Sequence, residues 1–220
     1  KTIPTRCFQN IHQNLNTIVC NAMTPPTLSS NFSDHAINDG LTLYVHDVDA
    51  YKAAARWNQI KSIRLIGAVA QNMTTSREYK SLQEAINEAA GATVKVLDNV
   101  VLEEAITVAA GTEVTLDLNG KVVSYESAVV GEDMITNNGK LTVESSVAGG
   151  KITYNNTDET GSNVTISTIS TVAGSELIIN GGIIENTSLA NYSSRVLVPY
   201  AIDILTNGGL GDVAVTINGG

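Results

Sequence analysis

The sequence predicts a mainly β protein built as a solenoid in two parts, its short strands stacked coil upon coil. Three observations carry that expectation. Composition changes abruptly along the 220 residues. Beyond the change, short β-forming runs recur with Asn-Gly or Gly-Gly corners between them. A single capping-box helix stands at the head of those runs.

The change of composition divides the chain. Residues 1–90 carry 8 basic and 7 acidic side chains, whereas residues 91–220 carry 5 and 15. Sixteen of the 18 Gly lie at or beyond Gly91, and all three His, both Cys and the Trp lie before residue 60. Two regimes in one chain indicate two modules. The expected layout is a first module over 1–67, a linker over 68–79 rich in Thr, Asn and Ser, and a second module over 80–220. A net charge of -9 excludes binding driven by nucleic-acid phosphates, which needs a basic face. No apolar run reaches the roughly 18 residues of a membrane span, and Lys1-Thr2-Ile3-Pro4 is not the start of a signal-peptide core.

In the first module, apolar positions follow neither a period of two nor one of 3.6 until Leu41-Thr42-Leu43-Tyr44-Val45, which alternates as a strand. Thr24-Pro25-Pro26-Thr27 forbids helix interior or central strand. Asp47 is placed to cap a helix running through Tyr51-Lys52-Ala53-Ala54-Ala55-Arg56-Trp57, and Ile60 to Ile66 supplies a last short strand. Ile3-Pro4, Cys7-Phe8, Leu15-Asn16-Thr17-Ile18, Thr24-Pro25-Pro26 and the Tyr51-Lys52-Ala53-Ala54…Trp57 terminator resemble the last repeat and closing segment of a BspA-like leucine-rich-repeat domain. The resemblance spans about residues 1–66 and implies a setting on the surface of gut or oral bacteria, Bacteroidetes in particular. One repeat cannot bury its own face, so further repeats are expected ahead of this chain.

The second module opens on Ser81-Leu82-Gln83-Glu84, a capping box, with Leu82, Ala85, Ile86 and Ala89 on one helical stripe and Gly91 as the stop. Short β runs follow at 94–97, 106–108, 114–118, 141–143, 176–179 and 213–217. The corner Leu118-Asn119-Gly120 returns as Ile179-Asn180-Gly181 and Ile217-Asn218-Gly219, with Val147-Ala148-Gly149-Gly150 as a looser copy. Spacings of 27, 36 and 36 residues between matching runs fit coils of a right-handed parallel β-helix with loops of unequal length. Leu82-Gln83-Glu84-Ala85-Ile86-Asn87, Thr115-Leu116-Asp117-Leu118-Asn119-Gly120-Lys121 and Asn137-Asn138-Gly139-Lys140-Leu141-Thr142-Val143 resemble the pectate-lyase-like β-helix superfamily over about residues 79–220. That resemblance implies that the leading helix caps the solenoid, and more coils are expected after Gly220. It implies little about activity, because the superfamily holds lyases, glycosidases, adhesins and phage tailspikes.

Catalysis finds weak support. Sugar hydrolysis needs two carboxylates at controlled separation. Asp117, Glu144, Glu176, Glu185 and Asp203 are available, and Lys121, Lys140, Lys151 or Arg195 could serve as a lyase base, but no pair recurs at coil spacing. Asp117, between Leu116 and Leu118, is expected on a solvated face. Asp158-Glu159 and Glu132-Asp133 lack the regular spacing of a calcium loop, and His12, His35 and His46 lack zinc-site spacing. Cys7 and Cys20 are expected as small buried hydrophobes, and no cofactor is expected. The ligand-contact candidates are Tyr125, Tyr154, Tyr192 and Tyr200, expected in coil loops where aromatic rings can stack on sugars. The resulting expectation is non-catalytic adhesion at the cell surface, with a glycan or a host or cell-surface protein as partner. The alternatives are a phage virion fibre, which would form a homotrimer, and a polysaccharide lyase or glycosidase whose catalytic coils lie outside this chain.

Overall fold

The computed structural model describes residues 1–4, 15–29, 40–157, 164–189, 191–192, 195–205 and 212–219, with backbone alone at 191–192 and 195–197. The protein is mainly β with parallel sheets, and it divides into two compact units, Lys1–Ala68 and Val69–Gly220.

In the first unit the chain forms β1 (Thr2–Ile3), β2 (Thr17–Cys20), β3 (Thr27–Leu28) and β4 (Thr42–Val45), then α1 (Val48–Ala53), a 3-10 turn (Trp57–Gln59) and β5 (Ser62–Leu65). β2, β4 and β5 make a parallel sheet that aligns Ile18, Leu43 and Ile63, and β1 pairs in parallel with β3. Asp47 caps α1 by accepting the Ala50 amide at 2.9 Å. The helix stops at Ala53, earlier than expected, and Arg56 takes a φ of 75° before the 3-10 turn. The break has a geometric cause. Six residues of continuous helix would set Tyr51 and Trp57 about 120° apart around its axis. Once broken, it lets both rings enter one core, edge to face at 5.3 Å between centroids. Trp57 Nε1 donates to the Pro26 carbonyl at 2.8 Å, and the Tyr51 hydroxyl donates to the Ala22 carbonyl at 3.0 Å. The Tyr51 hydroxyl also lies 3.0 Å from the half-buried Cys20 sulfur, while Cys7 falls outside the described residues.

The second unit opens with β6 (Ala70–Asn72) and β7 (Glu78–Tyr79), an antiparallel pair. The segment expected as a linker is therefore partly strand, because Ala70 and Tyr79 are apolar and bury against the unit's core. α2 (Leu82–Asn87) follows, with Ser81 Oγ accepting the Glu84 amide at 3.3 Å. Leu82, Ala85, Ile86 and Ala89 are all buried, but α2 ends at Asn87 with Glu88 as its cap, and Gly91, expected as the stop, takes φ 83° three residues beyond that cap. The strands are then β8 (Thr93–Val96), β9 (Val100–Leu102), β10 (Ile106–Val108), β11 (Glu113–Asp117), β12 (Val122–Ser127), β13 (Ile135–Asn137), β14 (Lys140–Glu144), β15 (Lys151–Asn156), β16 (Val164–Val172), β17 (Glu176–Ile179), β18 (Ile183–Asn186), β19 (Asn191–Tyr192), β20 (Arg195–Leu205) and β21 (Ala214–Ile217).

From β8 onward the chain visits three parallel sheets in rotation. The first holds β8, β11, β14, β17 and β21, the second β9, β12, β15 and β18, and the third β10, β13, β16 and β20. β19 interrupts the order by pairing antiparallel with β20, and β6 joins the first sheet antiparallel to β8. Register stacks like on like. Val94, Leu116, Val143 and Ile179 form one inward row, and Ile106, Ile135 and Ile169 another. Outward rows are mixed: Thr93, Thr115 and Thr142 lead on to Ile178, and Val101 and Ile183 lie exposed on the second sheet. α2 covers the β10 edge of the third sheet. Gln83 Oε1 accepts the Thr107 amide at 2.8 Å, and Gln83 Nε2 donates to the Thr107 carbonyl at 2.9 Å, as a neighbouring strand would. At the corner before β14, Gly139 is required, since a Cβ there would lie 2.4 Å from the Thr112 carbonyl oxygen.

Candidate functional site

Strand parity places the first two candidate tyrosines. In β12, Val123, Tyr125 and Ser127 share the inward face, and in β15 so do Ile152, Tyr154 and Asn156. Tyr125 and Tyr154 are therefore strand residues, 7% and 0% exposed, and not the exposed loop residues expected. They sit opposite each other in register with their rings stacked, centroids 5.7 Å apart and planes within 9°. Their hydroxyls hold the segment that follows β12. Tyr125 donates to Glu132 Oε2 at 2.9 Å, and the Ser127 hydroxyl donates to the same oxygen. Tyr154 donates to the Glu132 carbonyl and accepts from Asn156 Nδ2 at 2.9 Å. Burial pushes the Tyr154 phenol up to about 12 and raises that of Tyr125 as well. Tyr200 lies in β20 opposite Ser167 and is 45% exposed, so its ring can meet a ligand. Tyr192 lies in β19, and its side chain is outside the described set.

Nor is Asp117 on a solvated face. It is 5% exposed, Oδ1 accepts the amides of Asn119 and Ser146 at 2.8 Å each, and Oδ2 accepts the Ser146 hydroxyl at 2.7 Å. Its side chain does point away from Leu116, but the next round's corner covers it. Short Ser146, with two donors, makes that cover polar. Several other carboxylates are held by lysines. Lys140 bridges Glu113 at 3.2 Å and Glu176 at 3.5 Å, and Lys151 pairs with Glu185 at 3.1 Å, which holds the Glu185 carboxyl below its usual range. Glu144 faces Asp117 in register, and Asp203 faces Ser170. Asp158-Glu159, His12 and His35 fall outside the described residues. Among the described residues no three His, Cys, Asp or Glu side chains gather as a metal site, and no helix is long and apolar enough to cross a membrane.

A groove of about 390 Å³ runs beside the start of α2, between it and the β9–β10 segment. Lys80, Gln83, Asn99, Val101, Glu103 and Glu104 contribute to its lining, and Val101 is 77% exposed. It offers an ammonium group, amides and carboxylates beside an apolar wall that includes Val69, Leu82, Val100 and Leu102, a set able to hydrogen-bond a polyhydroxylated ligand and pack against its apolar face. Sequence reading missed it because its walls come from segments some 20 residues apart whose approach depends on register. The buried hydroxyls of Ser167 and Ser170 were missed too, although the repeated Ile166-Ser167-Thr168-Ile169-Ser170-Thr171 is a visible signal. No family model, no curated protein and no solved structure matches the chain.

Proposed function

We propose that the chain is a non-catalytic binding module of a secreted or cell-surface bacterial protein, and that its partner is a glycan. In this reading residues 80–220 are a right-handed parallel β-helix, capped by α2, and residues 1–67 are the closing part of a leucine-rich-repeat domain. The observation that carries the reading is the rotation of β8 to β21 through three in-register parallel sheets, whose inward rows are apolar and whose corners recur. The engagement of the carboxylates in structural contacts favours binding over hydrolysis. Asp117 joins two corners, Glu113 and Glu176 share Lys140, and Glu132 ties a loop to the sheet. The groove residues Lys80, Asn99, Glu103 and Glu104, and separately Tyr200, are the proposed contacts.

A glycan array probed with the full chain tests this. Binding to a defined set of oligosaccharides is expected, with Glu103→Gln plus Glu104→Gln weakening it about tenfold, close to the cost of one or two charge-assisted hydrogen bonds. Absence of binding to every glycan overturns the reading. New reducing ends or unsaturated sugars would replace it with the polysaccharide-cleaving alternative, and a stable trimer in sedimentation with the virion fibre.

A further inference from the structure

Outside the tyrosine cluster and the groove, two buried hydroxyls beside two half-buried carboxylates have no structural explanation. Asp133 precedes β13 and lies against β16, its Oδ1 accepting the Ser167 amide at 2.6 Å. Its neighbour Glu132 is held at both side chain and carbonyl by Tyr125, Ser127 and Tyr154, so the Asp133 carboxylate is fixed in place. In β16 the side chains of Ile166 and Ile169 belong to the core. Ser170 follows Ile169 and so faces the other way, as does Asp203, which follows the core-packed Ile202. Register brings Thr107, Thr136, Ser170 and Asp203 into one row.

Ser167 and Ser170 are fully buried, yet neither hydroxyl makes a hydrogen bond of normal geometry. Burial above all, with the Asp203 charge, raises the Asp133 carboxyl above its usual range, and the Ser167 amide and the nearby Ser167 and Ser170 hydroxyls offset this only in part. Among the described residues no cation pairs with Asp133 or Asp203. Two carboxylates and two buried hydroxyls without a well-formed hydrogen bond thus converge without a positive charge. Orphaned buried hydroxyls are uncommon and call for a ligand or ion.

We propose that Asp133, Asp203, Ser167 and Ser170 form a binding site for a hard divalent cation, calcium by its chemistry. All four side-chain ligands are oxygens, two of them anionic, which excludes the softer metals that seek His or Cys. Fewer than six protein oxygens suits calcium with water completing its shell, and its loose geometry accepts ligands drawn from three separate strands or loops more readily than magnesium does. The cation neutralises the mutual repulsion of the two carboxylates and gives both hydroxyls a partner. It also ties the segment before β13 to β16 and β20, which makes it a fastener of successive rounds of the third sheet. The assignment does not depend on glycan binding.

The full chain, stripped with chelator and titrated with calcium chloride in a calorimeter, tests it. One saturable site is expected, with the melting temperature rising by about 5 °C at calcium concentrations far above Kd and much less in magnesium. Asp203→Asn is expected to weaken calcium about tenfold or more. Ser170→Ala should weaken it several-fold while leaving the melting temperature of the calcium-free protein unchanged or higher, a sign that separates an orphaned hydroxyl from a packing role. No heat and no thermal shift at about 10 mM calcium overturns the proposal. So does undiminished affinity in both Asp203→Asn and Asp133→Asn, each checked for native fold by near-ultraviolet circular dichroism.

Discussion

Tyr125 and Tyr154 show how one parity step separates a ligand contact from a core residue. Each follows its strand's inward alternation, Val123-Ser124-Tyr125 and Ile152-Thr153-Tyr154, and the stacked rings carry their hydroxyls to the edge of the core. The loop before β13 then wraps over those hydroxyls through Glu132. A consequence is testable by alkaline titration. The folded Tyr154 phenol ionises near 12 and the unfolded one near 10, so the native state holds this proton the more tightly. Stability from this group is complete below pH 10 and is lost as pH climbs from 10 toward 12, by about 3 kcal/mol. Tyr154→Phe should therefore destabilise the protein at pH 7 by about 1–2 kcal/mol through its lost hydrogen bonds. It should also flatten the fall in denaturation midpoint between pH 10 and 12. An unchanged alkaline slope in the variant would assign the fall to other tyrosines, of which Tyr51, Tyr79 and Tyr125 are also raised chiefly by burial.

Elements whose signal is local were legible in the sequence. Ser81 and Asp47 cap their helices as their side chains dictate, and the Leu82, Ala85, Ile86, Ala89 stripe is buried. The matching runs 114–118, 141–143 and 176–179 pair in parallel register. What was not legible depends on neighbours distant in sequence. Asp117 alternates like an exposed residue, but Ser146, 29 residues later, covers it. Likewise Ala70 and Tyr79 sit in a stretch with linker composition, yet the exposed edge of β8 recruits β6 as a strand. Gln83 belongs to the same class, since nothing local shows that its amide completes the edge of β10. Gln83→Ala should leave the Thr107 amide and carbonyl open to pairing. A loss of about 1 kcal/mol is expected in denaturant unfolding, accompanied by concentration-dependent self-association in size-exclusion chromatography. Retention of a monomeric profile up to high concentration would show that α2 shields the edge without this side chain.

At the scale of the whole chain, the two hydrophobic clusters share no residue. Among the described residues the first is built from 8 buried apolar side chains, including Tyr51 and Trp57, and the second from 26. Stability follows buried apolar area, and each unit must offset its own chain entropy. The first unit's described core is thus less than a third the size of the second's, and it has less buried apolar area to set against unfolding. Trp57 is the one Trp in the chain and sits in the smaller cluster, which makes its fluorescence a report on that unit alone. Far-ultraviolet circular dichroism is dominated by the strands of the second unit. Chemical denaturation should accordingly give two transitions, with Trp57 fluorescence changing at lower denaturant than the bulk of the circular dichroism. Calcium should move the second transition and leave the first in place, because every proposed cation ligand lies beyond Val69. Coincident curves by both probes, with or without calcium, would mean that the units unfold as one cooperative body and that the separate cores are stabilised jointly.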